Sequence, residues 1–318
     1  MTEPDILVTP QNIHGIPTER YTEALRERLP DHEVAYAATP EQERQLVQHA
    51  RVVAGFRLSA ANLERAGNLR LFACSYAGVD HLNLDAFRER DVAVTNASGV
   101  HGPNVAEYAL GAILTFTRDF LESRRRQHRR EWRSHQAHEL AGSTVAVVGM
   151  GAIGGSVVQR LQGFEVDTVG VRYTPEKGGP TDEVYGYDEI SEAVADAAYV
   201  VLACPLTEAT EHLLDDEVFR TMATDSVVVN VARGGVVDTE ALVDALRSNS
   251  IRGATLDVTD PEPLPEDHDL WTFENVLITP HNAGHTPKYF ERLADIVAEA
   301  VHTAEETGEW EGLPNQVV

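Results

Sequence analysis

The sequence predicts an α/β protein with two doubly wound parallel-sheet domains, and two observations lead to this prediction. Short apolar runs alternate with amphipathic helical patterns through residues 5–99, and the same alternation resumes after residue 143. Strands that are separated by helices pair in parallel, so each stretch predicts a sheet of its own with helices on its faces. A length of 318 residues suits two domains of ordinary size.

The first stretch predicts the smaller domain. Its apolar and amphipathic runs alternate in the order strand 6–8, helix 18–29, strand 34–37, helix 40–49, strand 52–55, helix 63–66, strand 69–73, helix 84–90 and strand 92–95. It contains no glycine-rich phosphate motif. The loop 74–80 follows one of these strands directly, and open α/β sheets bind ligands at the carboxyl ends of their strands.

The second stretch is organised around residues 143–172. The β-branched run 144–148 predicts a buried strand, and residues 149–154 read GMGAIG, followed by helical apolar spacing and a second apolar strand at 166–171. Strand, glycine turn, helix and strand together are the context in which G-x-G-x-x-G indicates dinucleotide binding. The alternative is a purely structural glycine turn.

Each glycine of this motif has a distinct expected role. Gly149 permits the tight turn, Gly151 lets the backbone approach a pyrophosphate, and Gly154 lets the helix pack closely on the strand. The N-terminus of the helix then offers unpaired N–H groups and a positive dipole end to the phosphates.

Two further helices frame this domain in the prediction. A long apolar-periodic helix over 104–120 continues into an arginine-rich stretch at 124–133. Because acidic residues are interspersed, this stretch is interpreted as solvated or subunit-contacting and not as a nucleic-acid patch. A helix over 287–306 is expected to return to the first domain. The remaining expected elements are strands 199–203, 227–231, 255–258 and 276–279 and a helix over 239–248.

The charge balance is strongly acidic. Against 51 acidic residues stand 26 basic ones, a net charge of −25, and Lys occurs only at 177 and 288. Such a surface repels itself unless salt screens it, which suggests adaptation to a salt-rich cytoplasm and resembles proteins of extreme halophiles. An ordinary acidic mesophilic enzyme is the alternative. Nucleic acid is excluded as a partner, since no basic face of adequate size is visible.

The sequence gives no indication of a membrane-spanning segment or of a metal site. The longest weakly polar run, 109–116, is too short to span a bilayer, and the acidic N-terminus lacks the basic start of a secretory signal, so a cytoplasmic location is expected. Cys74 and Cys204 each end an apolar run and are expected to be buried small hydrophobes. Neither a disulfide framework nor zinc-ligand spacing exists.

Three polar residues follow strands of the second domain: Arg233, Glu262 and His281. The carboxyl ends of parallel strands share one edge of a sheet, where a cleft between domains is expected. Arg can hold a carboxylate and polarise a carbonyl, and His can exchange a proton while a nearby Glu fixes its tautomer. Taken singly, a loop-capping arginine, a surface glutamate and a buried structural histidine are equally good readings.

Taken together, these segments resemble the D-isomer-specific 2-hydroxyacid dehydrogenases. This NAD(P)-dependent family includes glyoxylate/hydroxypyruvate reductases. The resemblance covers nearly the whole chain and is carried by the segments 77–80 (AGVD), 105–107 (VAE), 149–154, 204–207 (CPLT), 230–235 (NVARGG), 256–258 (LDV), 262–263 (EP) and 279–284 (TPHNAG). It implies a Rossmann-type coenzyme domain and a smaller flavodoxin-like substrate domain.

The resemblance also implies site residues. It assigns catalysis to Arg233, Glu262 and His281, and the substrate carboxylate to the backbone N–H groups of Tyr76, Ala77 and Gly78, with Arg233 and His281 also contacting substrate. The expected coenzyme contacts are Gly149, Met150, Gly151, Ala152, Ile153, Gly154, Arg172, Tyr173, Thr174, Cys204, Pro205, Val231, Ala232 and Asp257.

One position departs from the commonest family pattern. NAD-using members carry an acid at the end of the second strand of the nucleotide unit, where this chain has Arg172, eighteen residues beyond Gly154. Arg attracts a 2′-phosphate that an acid would repel, so NADP(H) is the preferred coenzyme in this reading, with NAD(H) possible. Tyr173 and Thr174 could assist. The alternative is a solvated arginine at a strand end.

The resulting hypothesis is a two-domain oxidoreductase. The substrate domain comprises 1–99 and 286–318, and the coenzyme domain comprises 100–285. The expected reaction is reduction of a small 2-oxo acid to its D-2-hydroxy acid, and the resemblance suggests a homodimer. His101, at the domain junction, either packs at the hinge or contacts substrate. Phosphite, formate and 3-phosphoglycerate dehydrogenases remain open, as does a catalytically inactive dinucleotide-sensing binding protein.

Overall fold

The computed structural model describes residues 3–318, which form two compact units. One unit runs up to Val100 and resumes at His285–Val318, and the other is His101–Gly284. Each unit contains one parallel sheet, of five and seven strands respectively, so the predicted fold class is confirmed. The unit boundaries lie within one residue of those expected from the sequence. No helix among residues 3–318 has both the length and the apolar character needed to cross a bilayer.

The first unit is a flavodoxin-like sheet with strand order β2-β1-β3-β4-β5. Its elements are β1 (Ile6–Val8), α1 (Glu19–Arg28), β2 (Val34–Tyr36), α2 (Pro40–Leu46), β3 (Val52–Gly55), α3 (Ala60–Arg65), β4 (Leu71–Cys74), α4 (Leu84–Arg88) and β5 (Ala93–Thr95). Every residue of β1, β3, β4 and β5 is buried, as expected of strands covered by helices on both faces.

A serine cap explains one boundary that was wrong in the sequence analysis. Helix α3 begins at Ala60, three residues before the expected start at Leu63. The hydroxyl of Ser59 accepts a hydrogen bond from the amide of Asn62 at 3.2 Å, which satisfies an otherwise unpaired donor of the first turn. The cap therefore adds a turn that the apolar periodicity does not show.

The second unit is a seven-stranded parallel sheet with the order β12-β11-β10-β9-β6-β7-β8. Its elements are α5 (Gly102–Thr117), α6 (Phe120–Arg129), β6 (Thr144–Val148), α7 (Ala152–Leu161), β7 (Asp167–Val171), β8 (Glu183–Tyr185), α8 (Ile190–Val194), β9 (Tyr199–Leu202), α9 (Asp216–Thr221), β10 (Val227–Asn230), α10 (Thr239–Arg247), β11 (Gly253–Leu256) and β12 (Val276–Ile278). The chain reverses its direction across the sheet between β6 and β9, the switch point at which such sheets bind nucleotides.

The expected continuous helix from Asn104 into the arginine-rich stretch is interrupted. Helix α5 ends at Thr117, and Asp119 adopts a left-handed backbone with φ of +52°, which a right-handed helix cannot accommodate. The guanidinium of Arg252 donates to the carbonyl of Phe116 at 2.6 Å and so satisfies one of the last carbonyls of α5. Helix α6 then begins at Phe120 and ends where Arg130 is again left-handed.

The last helix, α11 (Tyr289–Thr307), packs against α1 of the first unit. The rings of Tyr21 and Phe290 stack with centroids 5.1 Å apart, and Arg28 forms an ion pair with Asp295. This is the place expected for the final helix, although it begins two residues later than the expected Pro287.

Candidate active site

The glycine turn after β6 is built so tightly that only glycine fits its first position. Gly149 has φ of +101°, and a Cβ there would lie 2.6 Å from the amide nitrogen of Cys204 and 2.7 Å from the carbonyl of Ala203. The turn therefore lies against the end of β9, at the switch point of the sheet. This contact brings Cys204, with Pro205 next to it in the chain, beside the glycine motif; the family resemblance implies both residues as coenzyme contacts.

The other two glycines of the motif differ in their surroundings. A Cβ on Gly154 would lie 1.8 Å from the carbonyl oxygen of Gly149, so helix α7 can pack this closely only without a side chain there. A Cβ on Gly151 would meet nothing within 4 Å. Helix α7 starts at Ala152, and its first N–H groups, including that of Ile153, have no partner within the helix.

This arrangement fits the pyrophosphate of a dinucleotide. The open space over Gly151 lies next to the positive end of a ten-residue helix, and both features favour an anion. Met150 packs toward β7 and the loop that follows it: its sulfur would lie 3.0 Å from a Cβ on Gly170 and 3.3 Å from one on Gly179. The glycine turn and the loop after β7 are thus neighbours.

Arg172 stands at the end of β7, as expected, and is half-buried. One of its guanidinium nitrogens donates to the carbonyl of Gly178 at 2.5 Å, which fixes the side chain along its own loop. Within residues 3–318 it forms no ion pair with a carboxylate. Tyr173 is 77% exposed, and Thr174 precedes a short 3₁₀ turn. The loop therefore offers a positive charge that no acid of the described chain neutralises.

Several expected coenzyme contacts are buried. The side chain of Asn230 organises the turn after β10: its oxygen accepts from the amide of Ala232 at 3.0 Å, and its nitrogen donates to the carbonyl of Arg233 at 3.0 Å. Val231 and Ala232 are both buried in this turn. Burial raises the pKa of the Cys204 thiol to about 11, so at neutral pH it is a small neutral side chain.

Arg233 projects from the same turn and is exposed. Its guanidinium donates to the carbonyl of Ala232 at 2.7 Å. The next residue, Gly234, approaches the loop after β11 so closely that a Cβ would lie 2.1 Å from the carbonyl of Thr259. This contact joins the Arg233 turn to the segment that carries Glu262.

Glu262 and His281 form a hydrogen-bonded pair. Nδ1 of His281 lies 2.7 Å from Oε1 of Glu262, and the two side chains are 51% and 42% exposed. A carboxylate accepts, so Nδ1 carries the proton and Nε2 is the nitrogen left for other partners. Glu262 follows β11 and His281 follows β12, which are paired strands. The structure therefore brings together the two residues that the sequence placed at one edge.

Asp257, expected as a coenzyme contact, binds the loop of His281. The residue is 3% exposed, and its carboxylate accepts hydrogen bonds from the hydroxyl of Thr279 at 2.6 Å and from the amides of Asn282 and Ala283 at 2.8 and 2.9 Å. Thr279, which belongs to the segment TPHNAG, is a partner of Asp257 that was not predicted from the sequence.

The first unit carries a second candidate site at the end of β4. The carbonyls of Tyr76 and Ala77 are fixed by the amide of Ala97 at 3.1 Å and the side chain of Asn96 at 2.8 Å. The N–H groups of Ala77 and Gly78 have no acceptor in the part of the chain that the structure describes, whereas the N–H of Tyr76 is directed at the Cys74 thiol; all three residues are exposed. Such a row of amides can bind a carboxylate.

His101 lies at the start of α5 and is half-buried. A Cβ on Gly284 would lie 3.4 Å from its ring, so the imidazole packs against the last residue of the second unit. This contact is consistent with the packing role considered for it.

Comparison with known proteins identifies relatives over most of the chain. The family model described as D-isomer specific 2-hydroxyacid dehydrogenase, NAD binding domain, matches residues 110–283. The D-3-phosphoglycerate dehydrogenase of Methanocaldococcus jannaschii is 32% identical over 283 residues, which cover 87% of this chain and 54% of that protein. The chain thus spans about half the length of this relative. The glyoxylate reductase of Thermofilum pendens is 35% identical over 252 residues, 76% of this chain and 74% of that protein.

A solved structure agrees over the whole fold. The D-isomer specific 2-hydroxyacid dehydrogenase of Xanthobacter autotrophicus Py2, determined in complex with NADPH and MES, superposes with a TM-score of 0.79 at 29% identity. The superposition covers 99% of this chain and 98% of that one. From its fold, its glycine turn and these matches, the chain belongs to the D-isomer specific 2-hydroxyacid dehydrogenase family of oxidoreductases.

Proposed function

We propose that this protein reduces a small 2-oxo acid to the D-2-hydroxy acid, using NADP(H) in preference to NAD(H). The observation that carries the proposal is the 2.7 Å hydrogen bond between His281 and Glu262, on the same sheet edge as Arg233 and the glycine turn. A proton donor, a carboxylate that orients it and a guanidinium for an acid substrate are the groups that this reaction needs.

In the reducing direction a nicotinamide coenzyme, when held at the glycine turn 149–154, would supply the hydride that the substrate C2 receives. Arg233 binds the carboxylate and polarises the 2-oxo group through its planar fork of N–H donors. His281 holds a proton on Nε2 and donates it to the alkoxide that forms. Glu262 accepts from Nδ1 throughout, so it fixes the tautomer and stabilises the imidazolium before the proton leaves.

NADP preference is proposed from Arg172. Its charge is held in place by the hydrogen bond to Gly178 and is not paired with a carboxylate of residues 3–318. A 2′-phosphate placed at this strand end would gain a charge-assisted hydrogen bond from it. The relative from Xanthobacter autotrophicus was crystallised with NADPH, which supports the same choice.

Oxidation of NADPH and of NADH in the presence of glyoxylate, hydroxypyruvate, pyruvate and branched 2-oxo acids tests the function. Turnover with one or more of them is the expected result. Glyoxylate is the first substrate to test, because the Thermofilum relative is named glyoxylate reductase. If none is reduced, phosphite or formate oxidation becomes the better candidate. Tight dinucleotide binding without any turnover would favour a dinucleotide-sensing protein.

We also propose a homodimer that contacts through the surface around α6. Trp132 is fully exposed and Phe120 is 56% exposed, and both line one groove together with Arg130 and Arg133. A second copy of a chain with net charge −25 offers acidic surface to these arginines and cover for the two aromatic rings. Light scattering should give twice the chain mass of 34.9 kDa, and the mass of a single chain would contradict the proposal.

We propose adaptation to high salt because the net charge of the chain is strongly negative. A net charge of −25 in a chain with two lysines creates self-repulsion that only dense screening removes. The ion pairs that the structure does contain join mostly exposed side chains, such as Arg20 with Glu23 and Arg220 with Asp216, and such pairs contribute little.

A further inference from the structure

The backbone at His281 is held in an unfavourable conformation. Its φ is +54°, in the left-handed region that residues with a Cβ enter only at a cost. The side chain is about half-exposed, so burial of the ring does not impose this conformation. The contacts that impose it must therefore lie in the backbone around the residue.

Asp257 supplies those contacts from the end of β11. Its backbone carbonyl accepts from the amide of His281 at 2.9 Å, and its carboxylate accepts from the amides of Asn282 and Ala283 at 2.8 and 2.9 Å. Three consecutive amides are thus bound to one buried residue. This set of bonds determines the path of the loop on both sides of the imidazole.

Two hydroxyl groups extend this set to helix α5. The hydroxyl of Thr279 donates to Oδ1 of Asp257 at 2.6 Å, so its only proton is committed. The hydroxyl of Tyr108 lies 2.6 Å from the same oxygen of Thr279 and is therefore the donor in that contact. Burial raises the pKa of Tyr108 to about 12, so it keeps this proton at neutral pH.

A second bond ties the same helix to the same loop. The side-chain amide of Asn104 donates to the carbonyl of Ala283 at 2.7 Å. Helix α5 thus reaches both ends of the segment 279–283, at Thr279 through Tyr108 and at Ala283 through Asn104.

We propose that Tyr108, Thr279 and Asp257 are positioning residues for His281. The hydroxyl chain orients the carboxylate of Asp257, the carboxylate holds the amides that follow His281, and the loop then directs the imidazole at Glu262. In this account none of the three side chains has to touch the reacting atoms to affect turnover. The effect on turnover rests on the proposed function, whereas the effect on the loop does not.

The variant that tests this is Thr279→Val, which keeps the shape and removes the hydroxyl. Thr255→Val is the matched control: Thr255 lies in β11, is 0% exposed, and its hydroxyl has no partner among residues 3–318. Thr279→Ser restores the donor. Two kinds of measurement are made on the full chain. The first is hydrogen exchange of the amides of 279–284 without ligand, and the second is kcat, KM and the coenzyme dissociation constant, with the 2-oxo acid that the wild type reduces as substrate.

In Thr279→Val the amide hydrogens of Asn282 and Ala283 should exchange about tenfold faster than in the wild type, because Asp257 loses its fixed orientation. The kcat should fall about tenfold to a hundredfold, as expected of a displaced proton donor, while the coenzyme dissociation constant stays within about twofold. Thr279→Ser should recover most of both changes, and Thr255→Val should show neither.

Unchanged exchange in Thr279→Val would overturn the proposal whatever the activity. Faster exchange with a wild-type kcat would overturn the link to His281 and leave the proposed function intact. If the wild type reduces no 2-oxo acid, the proposed function fails, and the exchange data alone decide whether the hydroxyl chain holds the loop. Should Thr279→Val not fold, Tyr108→Phe removes only the outer hydroxyl and is expected to give a smaller change of the same kind.

Discussion

Glu262 accepts a 2.7 Å hydrogen bond from Nδ1 of His281, and this bond leaves Nε2 as the free nitrogen of the ring. Glu262→Gln keeps the size of the side chain but removes the charge that stabilises the imidazolium. We expect kcat to fall on the order of 10- to 100-fold. The control is Glu266→Gln, an exposed glutamate four residues further along the same segment, which should retain wild-type kcat. Equal kcat values for the two variants would remove Glu262 from the mechanism.

The two adjacent glycines of α7 should respond to alanine in opposite ways. Gly154→Ala places a Cβ 1.8 Å from the carbonyl oxygen of Gly149, so the helix must shift, and we expect a lower Tm and weaker coenzyme binding. A Cβ on Gly155 meets nothing within 4 Å. Gly155→Ala should raise the Tm by up to about 3 °C through the higher helix propensity of alanine. Thermal unfolding of both variants checks this, and a Gly154→Ala protein as stable as Gly155→Ala would contradict the packing described.

Coenzyme choice should depend on Arg172. Arg172→Gln removes the charge and should lower kcat/KM for NADPH about 10- to 100-fold, the amount that the loss of one charge-assisted hydrogen bond represents. The value for NADH should change little. Arg220→Gln, on the surface of α9, is the control. Comparable kcat/KM values for NADPH and NADH in the wild type would already refute the preference.

Salt should stabilise the fold. Because the net charge is −25, screening by KCl reduces self-repulsion in the folded chain, and the Tm should rise as KCl increases from about 0.1 M, where the Debye length is about 10 Å, into the molar range. NaCl should act in the same way, since screening does not depend on the cation. A Tm that does not respond to either salt would mean that the acidic surface has another origin.

The two sheets could be predicted from the sequence because their strands are nearly continuous apolar runs. β6 and β9 are buried almost throughout, and the glycine motif identified the turn at which the sheet order reverses. Short elements that mix polar and apolar residues could not be predicted from the sequence. β8, α8 and α9 are three, five and six residues long, and elements this short contain too few residues to show a strand or helix periodicity.

The candidate site shows the same division. Arg233, Glu262 and His281 could be placed at one edge because each follows a strand. The helix break at Asp119 could not be predicted, since it depends on a backbone conformation and on Arg252, which lies 136 residues from the carbonyl of Phe116 that it contacts. The bonds from Asp257 to the His281 loop likewise join residues 22 to 26 positions apart and leave no periodic signal.

The most direct test of the account is NADPH oxidation with 2-oxo acids by the wild type and by His281→Ala, measured side by side in molar KCl. The wild type should turn over at least one 2-oxo acid, and His281→Ala should be slower by a factor on the order of 10² to 10⁴ with coenzyme binding retained. His302→Ala, an exposed histidine on α11, should behave as the wild type. A His281→Ala variant that reduces the same acid at nearly the wild-type rate would contradict the central claim.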